Sequence, residues 1–371
     1  MDPQSQFCHN PDCTARGQLG LNNIRVHGRK ERRYRCTTCG RTFAATRDTP
    51  FYRLKKSADL VTLVITLLCH GCPVQAIVAA FGLDERTVAD WRDRAGRHAC
   101  QFHEHRVLRG QVELGHVQAD ELYVKAVARR LWMAMAMAVP SRLWLGGVVS
   151  ERRDLTLIMA VVGMVRRAAK GLSFLVCVDG LASYVTAFMR VFRDPVRTGR
   201  RGRPRLAAIP GLLLGQVIKR HSGRRLVDVT RRAVLGTAEA IAGVLSATGT
   251  GTGINTSYIE RLNATFRGAM CPLVRRGRAI ARGEAVLTGW MYLVGCAYNF
   301  CWEHDSLRIA APAGARLRWR ERTPAMAAGL TDHRWTMREL LSQPIPLPHW
   351  VAPRRRGRPP KRGQASEPVA A

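Results

Sequence analysis

Lysine and acid are both scarce in this sequence. Seven of its 59 basic residues are Lys, and 27 acidic residues leave a net charge of +32 over 371 residues. A compact body with that excess repels itself, which excludes a self-sufficient neutral scaffold and calls for a polyanionic partner. Nucleic acid comes first and an anionic membrane surface second. Arg suits two-point phosphate contact better than Lys does, although a GC-rich genome produces the same bias. Long apolar runs are missing as well. The most apolar stretch, Val286–Trp302, contains Gly289, Gly295, Tyr298 and Asn299 and runs straight into Glu303. It falls short of ~18 uninterrupted apolar residues, which excludes it as a membrane span; it reads as a buried helix. Met1–Asn10 lacks an apolar core, so no secretory leader is expected. The expected location is cytoplasmic. In that reducing setting the eleven Cys serve as ligands or core residues rather than disulfides. With 46% apolar residues the chain is globular, and its length allows two or three domains.

What is present begins with cysteine pairs. Cys8-x4-Cys13 and Cys36-x2-Cys39 are separated by residues 14–35. Two pairs on two knuckles, joined by a segment too polar for a core of its own, suit a tetrahedral thiolate zinc site that stabilises the fold. Gly40 suits the knuckle turn, and Phe43 can pack beneath it. Four protein ligands leave no open position, so the role is structural. The spacing resembles a zinc ribbon, with four residues rather than two inside the first pair; His9 is an alternative to Cys8. Cys69-x2-Cys72 has ligand spacing too, but it ends an apolar helix without a second pair and reads as core.

A helical block follows. Ser57 caps a helix running to about His70, Gly71 stops it, and Pro73 opens the next. Val74–Phe81, the turn Gly82-Leu83 and Asp84–Ala95 resemble a helix-turn-helix. Asp84 is its N-cap, Val88 and Trp91 face inward, and Glu85, Arg86, Thr87 and Arg92 face outward, where a second helix meets the major groove. A plain three-helix packing unit has the same pattern. Arg97–Gly110 reads as a charged linker; His103-Glu104-His105 could suggest metal, but residues i and i+2 do not share a helix face.

From Gly115 the pattern turns strand-like. His116–Val124 is a strand carrying Asp120 and Glu121, Leu131–Val139 and Leu143–Val149 form a hairpin, and Leu155–Lys170 is a helix. Ser173–Val178 is a continuous apolar run, as in a strand covered on both faces. It ends in Asp179-Gly180, at the strand end where α/β sheets place ligands. A helix over Leu181–Phe192 follows, then a strand near Gln216–Lys219, a hairpin around Arg224–Leu235 and a helix around Ala238–Ala247. Asn255–Arg267 comes next. At roughly 100° per residue, Ile259, Leu262 and Phe266 form the buried stripe of a helix, while Glu260, Asn263 and Arg267 gather on another face. Ser257-x2-Glu260 also fits a capping box, which explains Glu260 but not Asn263 or Arg267. Jointly, Asp120, Asp179 and Glu260 offer hard oxygen ligands for Mg²⁺ or Mn²⁺, as two-metal phosphoryl transfer requires. Singly, each has a plain reading as a turn acid or an Arg partner.

In this order the cysteine pairs, the helix-turn-helix, Asp120-Glu121-Leu122, Val178-Asp179-Gly180 and Asn255-Thr256-Ser257-Tyr258-Ile259-Glu260-Arg261-Leu262-Asn263 resemble transposases of the insertion sequence 1 type, over about residues 8–305. Tyr298-Asn299-Phe300 and His304 fit the helix that closes such domains. The resemblance implies a multidomain α/β protein whose catalytic domain is RNase H-like, a mixed sheet flanked by helices. Its acidic triad is Asp120, Asp179 and Glu260, with Asn263 and Arg267 as helpers. It implies Mg²⁺-dependent cleavage at element ends and strand transfer to target DNA by a homodimer or larger oligomer. The expected layout is a zinc ribbon over 1–50, a helix-turn-helix with linker over 51–110, the catalytic domain over 111–310 and a basic tail over 311–371. Residues 193–250 count as an insertion between Asp179 and Glu260, longer than the compact fold needs. The shortest family members also encode their DNA-binding and catalytic parts separately.

Further Arg residues bear on DNA. Arg201-Gly202-Arg203-Pro204 and Arg356-Gly357-Arg358-Pro359 look like AT-hook cores for a narrow minor groove, or plain phosphate-binding loops. Arg275, Arg276, Arg278 and Arg282 follow the Glu260 helix and flank its site. Two other functions use the same parts: a DNA-binding regulator with an inert catalytic domain, and a structure-specific nuclease or resolvase of the same fold.

Overall fold

A computed structural model describes residues 2–127, 129–196, 204–223, 225–274, 277, 279–312 and 316–352. The chain forms two compact units. One holds the described residues of 2–47 and 346–352; the other is Asp48–Ile345.

The small unit carries three antiparallel strands in sequence order, β1 (Ile24–Gly28), β2 (Arg33–Cys36) and β3 (Thr42–Ala44). Its buried cluster is Cys8, Cys13, Ala15, Ile24, Tyr34, Cys36 and Phe43. Three of these seven are Cys, so the apolar core is too small to hold about 50 residues without a further staple.

The large unit opens with α1 (Ala58–Cys69), α2 (Val74–Phe81) and α3 (Glu85–Arg106). Ser57 Oγ accepts from Leu60 N and Asp84 Oδ1 from Arg86 N, so both expected caps form. Between α2 and α3, Gly82 takes φ +59°, which a side chain would resist. As far as Arg106, the expected linker over Arg97–Gly110 is instead the second half of α3, a helix of 22 residues. Ala95, His98, Ala99, Phe102 and His103 continue its buried stripe, while Arg97, Gln101 and Glu104 carry the charge and polarity on the exposed side. That stripe packs on α8 (Glu284–Phe300), whose Gly289 backbone touches Gly96.

β4 (His116–Ala126), β5 (Arg129–Ala138) and β6 (Leu143–Ser150) form an antiparallel meander, followed by α4 (Leu155–Ala168), β7 (Phe174–Asp179) and α5 (Ala182–Val191). β8 (Arg193–Val196) and β9 (Arg205–Ala208) pair with each other apart from the main sheet. β10 (Leu212–Ser222) runs parallel to β7, and β11 (Arg225–Leu235) turns back antiparallel beside it. The six-stranded order is β11-β10-β7-β4-β5-β6, a mixed sheet flanked by helices that fits an RNase H-like core. Residues 193–250 are therefore not an insertion as a whole, because β10 is an interior strand of this sheet. Nor do Gln216–Lys219 form a strand of their own: they belong to the first arm of one long hairpin with β11. Buried Val and Leu on both faces of β7 and β10 explain why these strands lack alternation.

α6 (Ala238–Thr248) and α7 (Ser257–Ala269) lead to α8, whose residues from Trp290 to Phe300 are all buried. Among the described residues no helix is long and apolar enough to cross a membrane. The short pair β12 (Ile309–Ala310) and β13 (Trp319–Arg320) precedes α9 (Pro324–Ala327) and α10 (Met337–Ser342). The expected basic tail over 311–371 is thus no tail up to Ile345. Ala325, Trp335, Met337, Leu340 and Leu341 are buried in the main core, with Trp335 against Phe102 and Phe300. Residues 51–110 and 111–310 share that core and belong to the same compact unit.

Candidate active site

The site forms where β4 and β7 part. Their parallel ladder ends at Gln118↔Cys177, two residues before Asp120 and Asp179. Beyond that point the two strands no longer pair, and a crevice opens at their carboxyl ends, as α/β sheets do where they bind ligands. The cleft has a volume of about 500 Å³. Asp120, Asp179 and Glu260 line it together with Arg153, Lys219 and Thr256. Three residues spread over 140 positions of sequence thus share one space.

Carboxylate oxygens of Asp120, Glu121 and Asp179 lie within 4.8 Å of one another. This is an all-oxygen donor set, suited to Mg²⁺ or Mn²⁺. Burial, and then the neighbouring Glu121, Asp179 and Glu260 carboxylates, push the Asp120 carboxyl up to about 7, against one lowering bond from the Glu121 backbone N–H. Burial first and like charge second make ionisation costly here, a cost that a bound cation would offset. Asn263 is 2% exposed. Its Nδ2 donates to Asp120 Oδ2 at 2.7 Å, while its buried Oδ1 has no partner among the described residues.

Two cations already stand in the cleft. Arg153 donates to Glu121 Oε1 through Nε at 2.6 Å and through Nη2, and its Nη2 lies 3.9 Å from Asp179 Oδ2. Tyr184, fully buried, donates to Glu121 Oε2 at 2.8 Å. Glu121 is therefore spoken for, and Asp120 and Asp179 are the open carboxylates of this wall. On the other wall Lys219 Nζ donates to Glu260 Oε1 at 2.6 Å, and Thr256 Oγ1 donates to the same oxygen at 2.9 Å. Partial burial opposes ionisation of Glu260, yet these two bonds hold its carboxyl below the ordinary range.

Helix α7 is held over the cleft by Gln118, which is fully buried on β4. Its Oε1 accepts from Tyr258 N at 3.1 Å and Ile259 N at 3.0 Å, and its Nε2 donates to Asn255 O at 2.8 Å. The strand that carries Asp120 thereby caps the helix that carries Glu260. The capping box does not form: Ser257 Oγ donates to Asn255 Oδ1, and Glu260 takes Thr256 and Lys219 instead. Arg267 is half-buried on α7 and does not line the cleft. Gln118, Arg153, Tyr184 and Lys219 escaped the sequence reading, because none stands in a motif and their partners lie 32 to 141 residues away.

Cys8, Cys13, Cys36 and Cys39 form a second cluster, their sulfurs within 4.8 Å of one another. Cys8 Sγ is 3.7 Å from Cys39 Sγ, and Cys13 Sγ is 4.0 Å from Cys36 Sγ. A tetrahedron with Zn–S bonds of 2.3 Å has edges of about 3.8 Å, so the spacing fits zinc. Asn23 Nδ2 donates to Cys36 Sγ at 3.4 Å, and the Gly40 N–H, at φ +72°, closes the knuckle on Cys36 O. His9 is not in this cluster; its ring packs at a tilt against Phe7 and Phe43.

The residues expected to face DNA divide. Arg86 is exposed and Thr87 half-buried near the start of α3. Arg92 does not face outward: it pairs with Asp93 at 2.8 Å and lies 5.3 Å over the Trp290 ring. Arg282 pairs with Glu85 at 3.1 Å. That side of α3 packs on α8, so Arg92 is taken up by the core contact while Arg86 stays exposed. Arg203, Arg275, Arg276, Arg278 and Arg358 lie outside the described residues. In comparison with known proteins, neither a family model nor a curated protein matches this chain.

Proposed function

We propose that the protein is a DNA transposase, a Mg²⁺-dependent enzyme that cleaves strands at element ends and joins them to target DNA. The observation that carries this reading is the meeting of Asp120, Asp179 and Glu260 in one open cleft of about 500 Å³, in a chain of net charge +32. An acidic cleft within a strongly basic protein has one economical explanation: the surroundings attract a polyanion, and the acids retain the cations that act on it.

Asp120 and Asp179 would hold the metal from one wall and Glu260 from the other. Mg²⁺ at such carboxylates activates water and offsets charge on the attacking and leaving oxygens of an in-line displacement. Asn263 keeps Asp120 oriented, Arg153 and Tyr184 occupy both oxygens of Glu121 and leave the metal to Asp120 and Asp179, and Gln118 fixes the distance between the walls. Hydrolysis at an element end leaves a 3′-OH. That hydroxyl then displaces an oxygen of a target phosphodiester, so one bond forms for each bond broken. The Cys8, Cys13, Cys36 and Cys39 site holds a structural Zn²⁺, and the α2–α3 pair acts with the small unit as the DNA-reading part of a helix-turn-helix and zinc-ribbon arrangement. Joining two ends in one event calls for at least a dimer.

The test uses purified full-length protein with duplexes from the flanks of its gene. Asp179→Asn and Glu260→Gln should abolish Mg²⁺-dependent cleavage and joining while leaving duplex binding near the wild-type level. Variants that still join strands refute the assignment. Binding without cleavage by the wild type at any end sequence favours a regulator, and preference for branched substrates favours a resolvase.

A further inference from the structure

The two cations in the cleft differ in how firmly they are held. Arg153 makes two bonds to Glu121, whose side chain is 1% exposed, and its guanidinium lies 5.0 Å over the Trp132 ring. Tyr184 locks the other Glu121 oxygen. This cation cannot leave without stranding a buried carboxylate. Lys219 is the opposite case. It makes one bond, to Glu260 Oε1, and the two side chains are 42% and 48% exposed. An exposed pair of this kind is weak, and an ammonium on a flexible stem exchanges partners readily. In a chain that uses Arg for nearly all its positive charge, this cleft has a Lys.

Its position explains the choice. Val217 pairs with Asp179 across β10 and β7, so Lys219 stands two residues further along β10, past the end of β7 and at the mouth of the cleft. Glu260 is absent from the group of carboxylates within 4.8 Å of one another, which holds Asp120, Glu121 and Asp179. Lys219 and Thr256 thus keep the third acid on its own wall.

We propose that Lys219 is a positioning residue that holds Glu260 apart from Asp120 and Asp179 until a DNA phosphate takes over its ammonium. The incoming phosphodiester exchanges one anion for another at Lys219 Nζ and frees Glu260 to complete the carboxylate set. No covalent bond changes in this step. The ligand set is then assembled only where a strand is present. This inference rests on the proposed reading of the cleft as a divalent-metal site.

The experiment measures Mn²⁺ binding by electron paramagnetic resonance on the full chain with zinc in place, with and without a DNA duplex. Without DNA, Lys219→Met should bind Mn²⁺ about fivefold more tightly than wild type, the equivalent of about 1 kcal/mol for one exposed ion pair. Glu260→Gln should remove that gain in the double variant and should weaken wild-type binding less than twofold. With duplex added, wild type should reach the affinity of Lys219→Met. If Lys219→Met gains nothing, or if its gain persists in the Glu260→Gln background, the holding role is overturned, the second result meaning a general loss of positive charge. Asp179→Asn separates the two readings. If it abolishes Mn²⁺ binding while Lys219→Met has no effect, only the role of Lys219 fails; if Mn²⁺ binding is unchanged by Asp179→Asn, the metal-site reading fails with it.

Discussion

Replacing Gln118 by Met keeps the length and volume of the side chain and removes every polar atom. The loss can be worked from its bonds. Two backbone N–H groups at the start of α7, Tyr258 and Ile259, lose the Oε1 they share, and Asn255 O loses its donor at 2.8 Å. Water does not replace them, since Gln118 is fully buried. An orphaned buried polar group costs about 1–3 kcal/mol, and partial relaxation of the exposed helix start offsets some of it. The expected loss is about 2–4 kcal/mol, read as ΔG of unfolding in urea. Gln118→Glu is the control. It keeps an acceptor for the two N–H groups, now charge-assisted at a helix N-terminus, and loses only the donor to Asn255. Its stability should fall between Gln118→Met and wild type at neutral pH. Because the same side chain ties β4 to α7, Mn²⁺ affinity at the cleft measured with duplex DNA present should fall in step with stability. A Gln118→Met protein within about 0.5 kcal/mol of wild type, the range of neutral surface changes, would refute the idea that this residue sets the two walls.

Three further outcomes follow from packing and charge. Burial holds His98 at about 4 and His103 at about 3, far below the ordinary His value of 6.5; the unfolded chain therefore takes up protons that the folded chain refuses. Stability should fall as pH drops from 6.5 towards 4, by about 1.4 kcal/mol per histidine at pH 5.5, and His103→Phe should make that fall shallower by one proton in the pH dependence of ΔG. A Cβ on Gly96 would meet the Gly289 carbonyl carbon at 2.7 Å, whereas one on Gly289 meets nothing closer than 3.5 Å; Gly96→Ala should cost about 1–3 kcal/mol in thermal or urea unfolding, and Gly289→Ala should be neutral or slightly stabilising. Chelation, or Cys36→Ser, should release zinc, detected with a chromogenic chelator, and melt the small unit while leaving the unfolding transition of Asp48–Ile345 in place, because the two units have separate cores.

Local signals served well where a side chain answers to its neighbours in sequence. Ser57 and Asp84 cap the helices they precede, and the apolar run over Phe174–Val178 is a doubly covered strand. They failed where two structures share one local pattern. Arg97–Gly110 is charged enough to pass for a linker, yet every third or fourth residue is apolar or His, and α8 supplies the surface that makes a helix of it. The residues after 311 are rich in Arg, and only the pocket around Phe102 and Phe300 shows that Trp335 has somewhere to go. Ser257-x2-Glu260 satisfies the spacing of a capping box, but Lys219 outcompetes it from 41 residues away. A charged donor makes a stronger bond to a carboxylate than a neutral backbone N–H does, even where the pair as a whole adds little stability.

The amino-acid sequence by itself determined the chemistry on offer: four thiols in two close pairs, three acids set at a strand, a strand end and a helix, and an excess of positive charge that calls for a polyanion. Those properties reside in residue type and short spacing, which survive without any fold. Tertiary structure alone decided how the acids differ. It assigned Glu121 to Arg153 and Tyr184, Glu260 to Lys219, and left Asp120 and Asp179 open, with Gln118 setting the gap between the walls. Burial and hydrogen bonding over long sequence separations make that distinction, and neither acts until the sheet has brought the partners together.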